Sequence, residues 1–392
     1  MSAPLRLNWA LRGVYLTLLV QVAISWEAWA PMGRGFPRVS VVADWPLVGS
    51  VPETGMLVVG GTALFLLLGR PRHRLATGLL VTAAWMLIAA DVNRLQPWLY
   101  LYLLVLLPNL FPGARPAEEV LRFIGWTIAG TWFWSGVMKL NPAFVSEFFP
   151  DLLGPFGGKE FAVAHPALGY AAGVLEAGAG GLVLLRRTRR IGIGLGCSVH
   201  IFALAALGPW GLDWNAVVWP WNVAFAGLAV LCLWPAMPVP RSSGRSWWQQ
   251  PAVLVPLALV WLFPLGNFFG HWDHFLSHSF YSGRLPNAIF YFHPDDRFAL
   301  PEAARPYVLH VRGEPEYLLP LEFWALGELR IPGYPEVRVR RAVARQLCDC
   351  LRQPHRAGLH LTHRADGTAD TRTERIACPA LLPRSFTFQP HN

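Results

Sequence analysis

A lysine inside an apolar run is the first residue that calls for chemistry. Phe133-Trp134-Ser135-Gly136-Val137-Met138-Lys139-Leu140 puts Ser135 and Lys139 four apart on one helical face, and Asn141-Pro142 ends the helix. Two readings stand for Lys139. It either reaches to lipid headgroups along its methylene stem, or it is a desolvated amine with a lowered pKa that can act as a base. Glu176 lies in the middle of another apolar stretch. A charge at mid-bilayer costs about 2.5–3.5 kcal/mol on insertion scales, so Glu176 must be neutral or meet a base. His200 follows Gly192 and Gly196 at intervals of four, on a face kept clear by glycines. It is either a hydrogen-bonded core imidazole or a catalytic one. Asn222 closes Trp219-Pro220-Trp221-Asn222 at a helix start and either satisfies a backbone group or faces a cavity. Asp91 and Arg94, three apart, can pair; that pair either anchors a helix end or walls a site electrostatically. Asp91, Arg94, Lys139 and Asn222 fall at outer helix ends and His200 in the outer half. They are expected to converge on a polar cavity that opens outward. No convincing metal spacing is present. His271, Asp273, His274 and His278 form the best cluster and read as an interfacial loop, and Cys348 and Cys350 would not face each other on a helix.

The elements that must hold these groups are apolar. Of 392 residues, 54% are apolar and 15% charged, against about 25% charged in ordinary soluble domains. Mean hydropathy is +0.35. This excludes a disordered chain, a nucleic-acid module and a single soluble globule. The expected fold is an all-α polytopic membrane protein with a small C-terminal extramembrane α+β domain. Nine apolar stretches approach the length needed to cross the hydrocarbon core: 11–30, 54–70, 74–93, 97–112, 120–140, 166–186, 190–208, 216–235 and 251–269. The formal charge of +9 then reports orientation. Arg70, Arg72 and Arg74, Arg115 and Arg122, Arg186, Arg187, Arg189 and Arg190, and Arg241 and Arg245 occupy alternate connections. That alternation places the N-terminus in the cytoplasm and the tail outside. Ala28-Trp29-Ala30 resembles a signal-peptidase site, but Trp26 and Glu27 beside it favour an uncleaved first helix. Many of the 19 tryptophans, among them Trp29, Trp45, Trp214, Trp247 and Trp248, fall at expected membrane interfaces.

Residues 1–278 therefore read as the transmembrane helical domain and 279–392 as a soluble domain. In the latter, 307–311 and 359–362 have strand character, and Val337–Leu351 is an amphipathic helix. Five cysteines are too few and irregular to imply a disulfide framework. Gly169, Gly173, Ala177 and Gly181 form a small-residue ridge expected to admit a second helix beside Glu176.

Two segments also carry a resemblance. Phe133–Leu140 resembles the aromatic-small-Gly-Val-x-Lys-Leu stretch of vitamin K-dependent γ-glutamyl carboxylase and its bacterial relatives, the HTTM family. Asp91-Val92-Asn93-Arg94-Leu95-Gln96-Pro97-Trp98-Leu99-Tyr100-Leu101-Tyr102 resembles the family segment that starts with Asp and ends Tyr-Leu-Tyr. Leu175-Glu176, Ile191-Gly192 and His200 repeat the order of a third region, so the resemblance covers roughly residues 80–235. It implies a bacterial inner-membrane protein that binds a quinone or another lipid-soluble ligand. Lys139 matches the base that deprotonates the reduced quinone. With His200 it forms the implied catalytic pair, and Asp91, Arg94, Trp98, Ser135, Glu176 and Asn222 line the implied ligand site. Where the carboxylase has Asn-Asn-His, this chain has Gln96-Pro97-Trp98, and Asn141 replaces the acidic residue after Lys-Leu. DoxX-type membrane proteins share a looser Gly-x-x-Lys-Leu stretch. The alternative to an enzyme is thus a non-enzymatic carrier or a DoxX-like quinone or redox accessory subunit.

Overall fold

The computed structural model describes residues 1–41, 50–110, 116–234, 251–313, 315–364 and 371–381. Arg115, Arg241, Arg245, Trp45, Trp247 and Trp248 lie outside the described residues. The chain is mostly helical, with one small sheet near its C-terminus. α1 (Ala3–Ile24), with Pro4 in its first turn, and α2 (Trp26–Trp29) precede α3 (Ser50–Gly69), α4 (Arg74–Ala90), α5 (Pro97–Leu106) and α6 (Ala117–Met138). After Asn141-Pro142 come α7 (Phe149–Leu153), α8 (Lys159–Ala164), α9 (Ala167–Leu182), α10 (Arg189–Leu207), α11 (Val218–Leu233) and α12 (Pro251–Trp261).

Among the described residues, three helices are long and apolar enough to cross a membrane: Ala3–Ile24, Val51–Gly69 and Arg189–Leu207. That corrects the expectation of nine. α4, α9 and α11 have 17, 16 and 16 residues, or about 24–26 Å at 1.5 Å per residue, short of roughly 30 Å of hydrocarbon. α5 is apolar throughout, yet all ten of its residues are buried. It is a core helix wrapped by protein. α6 is likewise enclosed, with only a few residues reaching the surface. Hydropathy cannot tell an apolar face turned to lipid from one turned to other helices, and this overcounts spans in a large helical core.

The arginine-rich ends gather at one end of the bundle. Arg6 caps α11, its Nε donating to Leu231 O at 2.8 Å. Arg12 donates to Leu68 O, and the Tyr15 hydroxyl to Pro71 O. Arg190 stacks on Trp234 at 5.2 Å. At the other end, Gln21 donates to Val217 O, and the segment 91–96 receives the C-terminal part of the chain.

The ridge on α9 meets α6, with one register correction. A Cβ on Gly173 would stand 2.8 Å from Leu140 Cδ2 and 3.1 Å from Gly136 O, whereas a Cβ on Gly181 would meet nothing within 4 Å. Gly180 is the close-approach residue instead, lying against the backbone of Ala129 and Phe133.

The sheet has strands β1 (Asn287–Phe292), β2 (Leu309–His310), β3 (Tyr317–Pro320), β4 (Gly358–Arg364) and β5 (Thr371–Ala377). They are antiparallel in the order β2-β3-β1-β4-β5. Phe290 faces Leu319 on one side and Leu359 on the other, and all three are fully buried. α13 (Leu321–Leu329) and α14 (Val337–Cys350) supply Trp324, Val343 and Leu347 to the same core. α14 ends one residue before the expected Leu351, and the strand expected at 307–311 shrinks to two residues. A disulfide joins Cys348 to Cys378 in α15 (Cys378–Leu381), a single bridge that the cysteine count, which implied no disulfide framework, did not anticipate. Cys350, two residues on, is exposed, as helical geometry requires.

Candidate functional site

Lys139 caps α6. Its backbone N–H bonds back to Gly136 O, and the Asn141 side chain donates to Met138 O at 2.8 Å, which satisfies a carbonyl that Pro142 leaves without a helical partner. The side chain turns inward. Lys139 Nζ donates to Ser135 Oγ at 2.7 Å and lies 2.8 Å from Glu176 Oε2. The glycine contacts between α6 and α9 bring the backbones close enough for this pair to form. Glu176 thus meets a base, one of the two outcomes its apolar setting allowed. Snorkelling to headgroups is not the observed geometry, since Lys139 is only 8% exposed.

His200 stands on the glycine-cleared face of α10, where a Cβ at Gly196 would overlap the Trp132 ring. Trp132 Nε1 donates to His200 Nε2 at 2.9 Å, and His200 Nδ1 lies 2.8 Å from Asn222 Oδ1. Asn222 Nδ2 donates to Val218 O, so its oxygen faces the ring and accepts. The imidazole therefore carries its proton on Nδ1. Both ring nitrogens are committed, so His200 acts as a strut between α6 and α11 and holds Trp132.

Ser135, Lys139, Glu176, His200 and Asn222 line one cavity of about 360 Å³, otherwise walled mainly by aliphatic and aromatic side chains. Leu175 and Ser198 also line it and are exposed on the outside of the bundle, so it has a lateral mouth between α9 and α10. Phe280 forms part of its floor, its ring centroid 6.0 Å from Lys139 Nζ.

Asp91, Arg94 and Trp98 lie elsewhere. Asp91 and Arg94 do not pair with each other, contrary to their spacing. Asp91 Oδ2 lies 2.5 Å from Arg34 Nη1, and Arg94 Nη2 lies 2.8 Å from Glu53 Oε2. Both sit in the reversal between α4 and α5, where a helical spacing argument no longer holds. Their network is structural: Arg94 also donates to Ala28 O and Leu87 O. Asp91 accepts from the Asn93 side chain, whose own oxygen accepts from Tyr334 N at 2.9 Å. This seats the C-terminal part on the bundle. Trp98 lines a second cavity beneath that seat. The 271–278 cluster is divided among other tasks. Asp273 accepts from the Tyr334 hydroxyl and from Arg338, and His274 contacts Glu336 at 3.0 Å. His278 is fully buried, and neither ring nitrogen has a partner among the described residues. Burial pushes its imidazole down to about 3.

The residues that sequence reasoning missed are Trp132, Phe280 and Tyr281. Trp132 was visible as one turn before Gly136 on the lysine helix. Phe280 and Tyr281 carried no signal, because the composition there already reads as the soluble tail. Comparison with protein families, curated proteins and solved structures finds no match to this chain.

Proposed function

We propose that this is an integral membrane protein of the HTTM type, in which the Lys139 cavity takes a lipid-soluble ligand, of which a quinone is the leading class. The observation that carries the reading is the Lys139–Glu176 pair, held by Ser135 on the wall of an otherwise apolar cavity with a lateral mouth. An apolar pocket with a few convergent polar groups is the usual form of a small-molecule site. The exposed Leu175 and Ser198 give entry from the apolar flank of the bundle. Lys139, Glu176 and His200, the three residues that the resemblance ties together, line this one cavity. A hydroxyl-bearing quinol would fit the lining, since its ring suits the aromatic walls and its hydroxyl suits the pair.

When bound, such a group would supply an ionisable hydroxyl. The pair then acts as a unit. The Glu176 carboxylate, directly or through Lys139, would accept that hydroxyl's proton, and the Lys139 ammonium would remain beside it to favour negative charge there. This assigns proton transfer to the pair, with Ser135 orienting Nζ and His200 positioning the wall.

Orientation follows the same reading, with the arginine-rich end cytoplasmic and the C-terminal part outside. The Cys348–Cys378 disulfide supports it, because disulfides persist on the oxidising side of a membrane.

Mass spectrometry of lipids extracted from the purified protein tests the assignment. Stoichiometric quinone in the native protein, lost in Lys139→Ala, is the expected result. A co-purifying protein subunit with no small ligand would instead favour the carrier or accessory-subunit reading.

A further inference from the structure

α7 and α8 form an arm just before α9, at the end of the bundle opposite the arginine-rich one. Its inner side is built into the protein. Phe149 and Ala162 are buried with Phe144 and Val145, and Ala172 of α9 packs against them. A Cβ on Gly169, in the first turn of α9, would stand 3.0 Å from Val145 Cα, so this segment lies close on that helix. Phe149 and Leu152 also wall the Lys139 cavity.

The outer side of the arm carries large apolar side chains that nothing in the chain covers. Phe156 is 53% exposed and Phe161 59%. Phe156 leans on Phe202 of α10, their ring centroids 6.2 Å apart, and Phe202 lines the Lys139 cavity. The turn after α10 adds Trp210, 92% exposed, and the next two residues face Gly154, Pro155 and Lys159 across one cleft. Exposed apolar side chains gathered in one place mark an interaction surface. Three observations name the partner. α10 is long and apolar enough to cross a membrane, and Trp210 stands three residues beyond its end. The exposed flank next to the arm is itself apolar, with Leu168, Val174 and Leu175 on α9 and Ile201 on α10. The arm also carries solvated charge, Lys159 Nζ lying 2.7 Å from Asp151 Oδ1 with both side chains exposed. Aromatic rings beside solvated charges at the end of a crossing helix are the pattern of the headgroup layer. A protein partner would need a surface that also continued along the flank of α9 and α10. Lipid covers the arm and the flank at once.

We propose that the arm is seated in the headgroup layer of the bilayer, in the leaflet that holds the C-terminal end of α10. Phe156, Phe161 and Trp210 enter the acyl region, and the Asp151–Lys159 pair stays in water. α9 has 16 residues, about 24 Å, and the arm carries the apolar flank past its end. Seated there, the arm roofs the lateral mouth, so a ligand reaches Lys139 from lipid and not from water. The proposal rests on the membrane placement of α10 and holds whatever ligand the cavity takes.

Spin labelling of the full-length protein in lipid nanodiscs tests it. Nitroxides are placed one at a time through Phe156→Cys, Phe161→Cys, Trp210→Cys, Lys159→Cys and Ile201→Cys, in a background where Cys197, Cys232 and Cys350 are serine. All five positions are exposed, so the labels should leave the fold intact. Collision with oxygen, which dissolves in lipid, is compared with collision with a water-soluble nickel chelate. Oxygen should prevail several-fold at 156, 161 and 210, as it does at 201 on the flank of α10, and nickel should prevail at 159. Nickel prevailing at 156, 161 and 210 while oxygen prevails at 201 would leave the arm in water and overturn the proposal alone. Nickel prevailing at 201 as well would overturn the membrane placement of α10, and the proposal with it. Few collisions with either reagent at 156, 161 and 210 would show a second copy or another protein on the arm, and oxygen prevailing at 159 would submerge the whole arm. Either result overturns the seat in the headgroup layer.

Discussion

Lys139 Nζ and Glu176 Oε2 lie 2.8 Å apart across the interface of α6 and α9, in a setting where neither residue has another ionic partner among the described residues. A pair placed this way is part of the packing and part of the chemistry, and substitutions should separate the two roles.

Removing one partner leaves the other buried and unpaired, which costs about 3–5 kcal/mol. Lys139→Ala and Glu176→Ala are each expected to lower the melting temperature in detergent well below wild type. The double replacement Lys139→Met with Glu176→Leu should recover most of that loss while still failing to retain ligand. Lys139→Arg keeps the charge and should keep the fold, but its guanidinium cannot sit in the ammonium's place between Ser135 and Glu176. It should therefore also lose ligand. Full ligand retention in Lys139→Arg would reduce the lysine to a fixed charge.

The register of the α6–α9 contact predicts a contrast between two glycines on one helix. Gly173→Leu forces a side chain onto Leu140 and the Gly136 carbonyl and should destabilise the protein by roughly 1–3 kcal/mol or more. Gly181→Leu meets open space and should change the melting temperature little. Equal effects at the two positions, measured by thermal unfolding in the same detergent, would contradict the packing.

His278 predicts an acid-sensitive fold. Its folded pKa is lowered to about 3, against about 6.5 in the unfolded chain. Below pH 6.5 the unfolded state binds a proton that the folded state refuses. The stability present above 6.5 is therefore lost progressively down to about pH 3. His278 has a φ of 59°, a conformation that asparagine tolerates. His278→Asn should flatten the melting temperature between pH 6.5 and 4.5 relative to wild type. A parallel decline in both proteins would assign the acid sensitivity to other groups.

The bundle's polarity predicts opposite accessibility of its two ends. Cys350 is exposed in the C-terminal part and should react with a membrane-impermeant maleimide in intact cells, in a background where Cys197 and Cys232 are serine. A cysteine introduced at Arg187 should react only after the cells are opened. The reverse pattern would invert the orientation.

The sequence by itself determined the material of this protein and several of its local arrangements. An apolar chain with few charges had to build helices that bury one another or meet lipid. Residues four apart on a helix had to share a face, and Ser135 with Lys139, and Gly196 with His200, do so because helical periodicity is a local property. A mid-helix glutamate among small residues had to find a partner. The tertiary structure alone decided which partner. Lys139 and Glu176 are 37 positions apart, and only the glycine contacts between α6 and α9 bring them within reach. It also separated Asp91 from Arg94, since the chain reverses between them and Arg34 and Glu53 arrive from distant segments. It decided how many apolar helices are long enough to cross a membrane, because α5 is as apolar as any span yet is wholly enclosed by protein. It carried Phe280 and Tyr281 from the polar tail into the wall of the lysine cavity. Burial and pairing between distant segments depend on where the whole chain goes, and no local pattern of residue types encodes that.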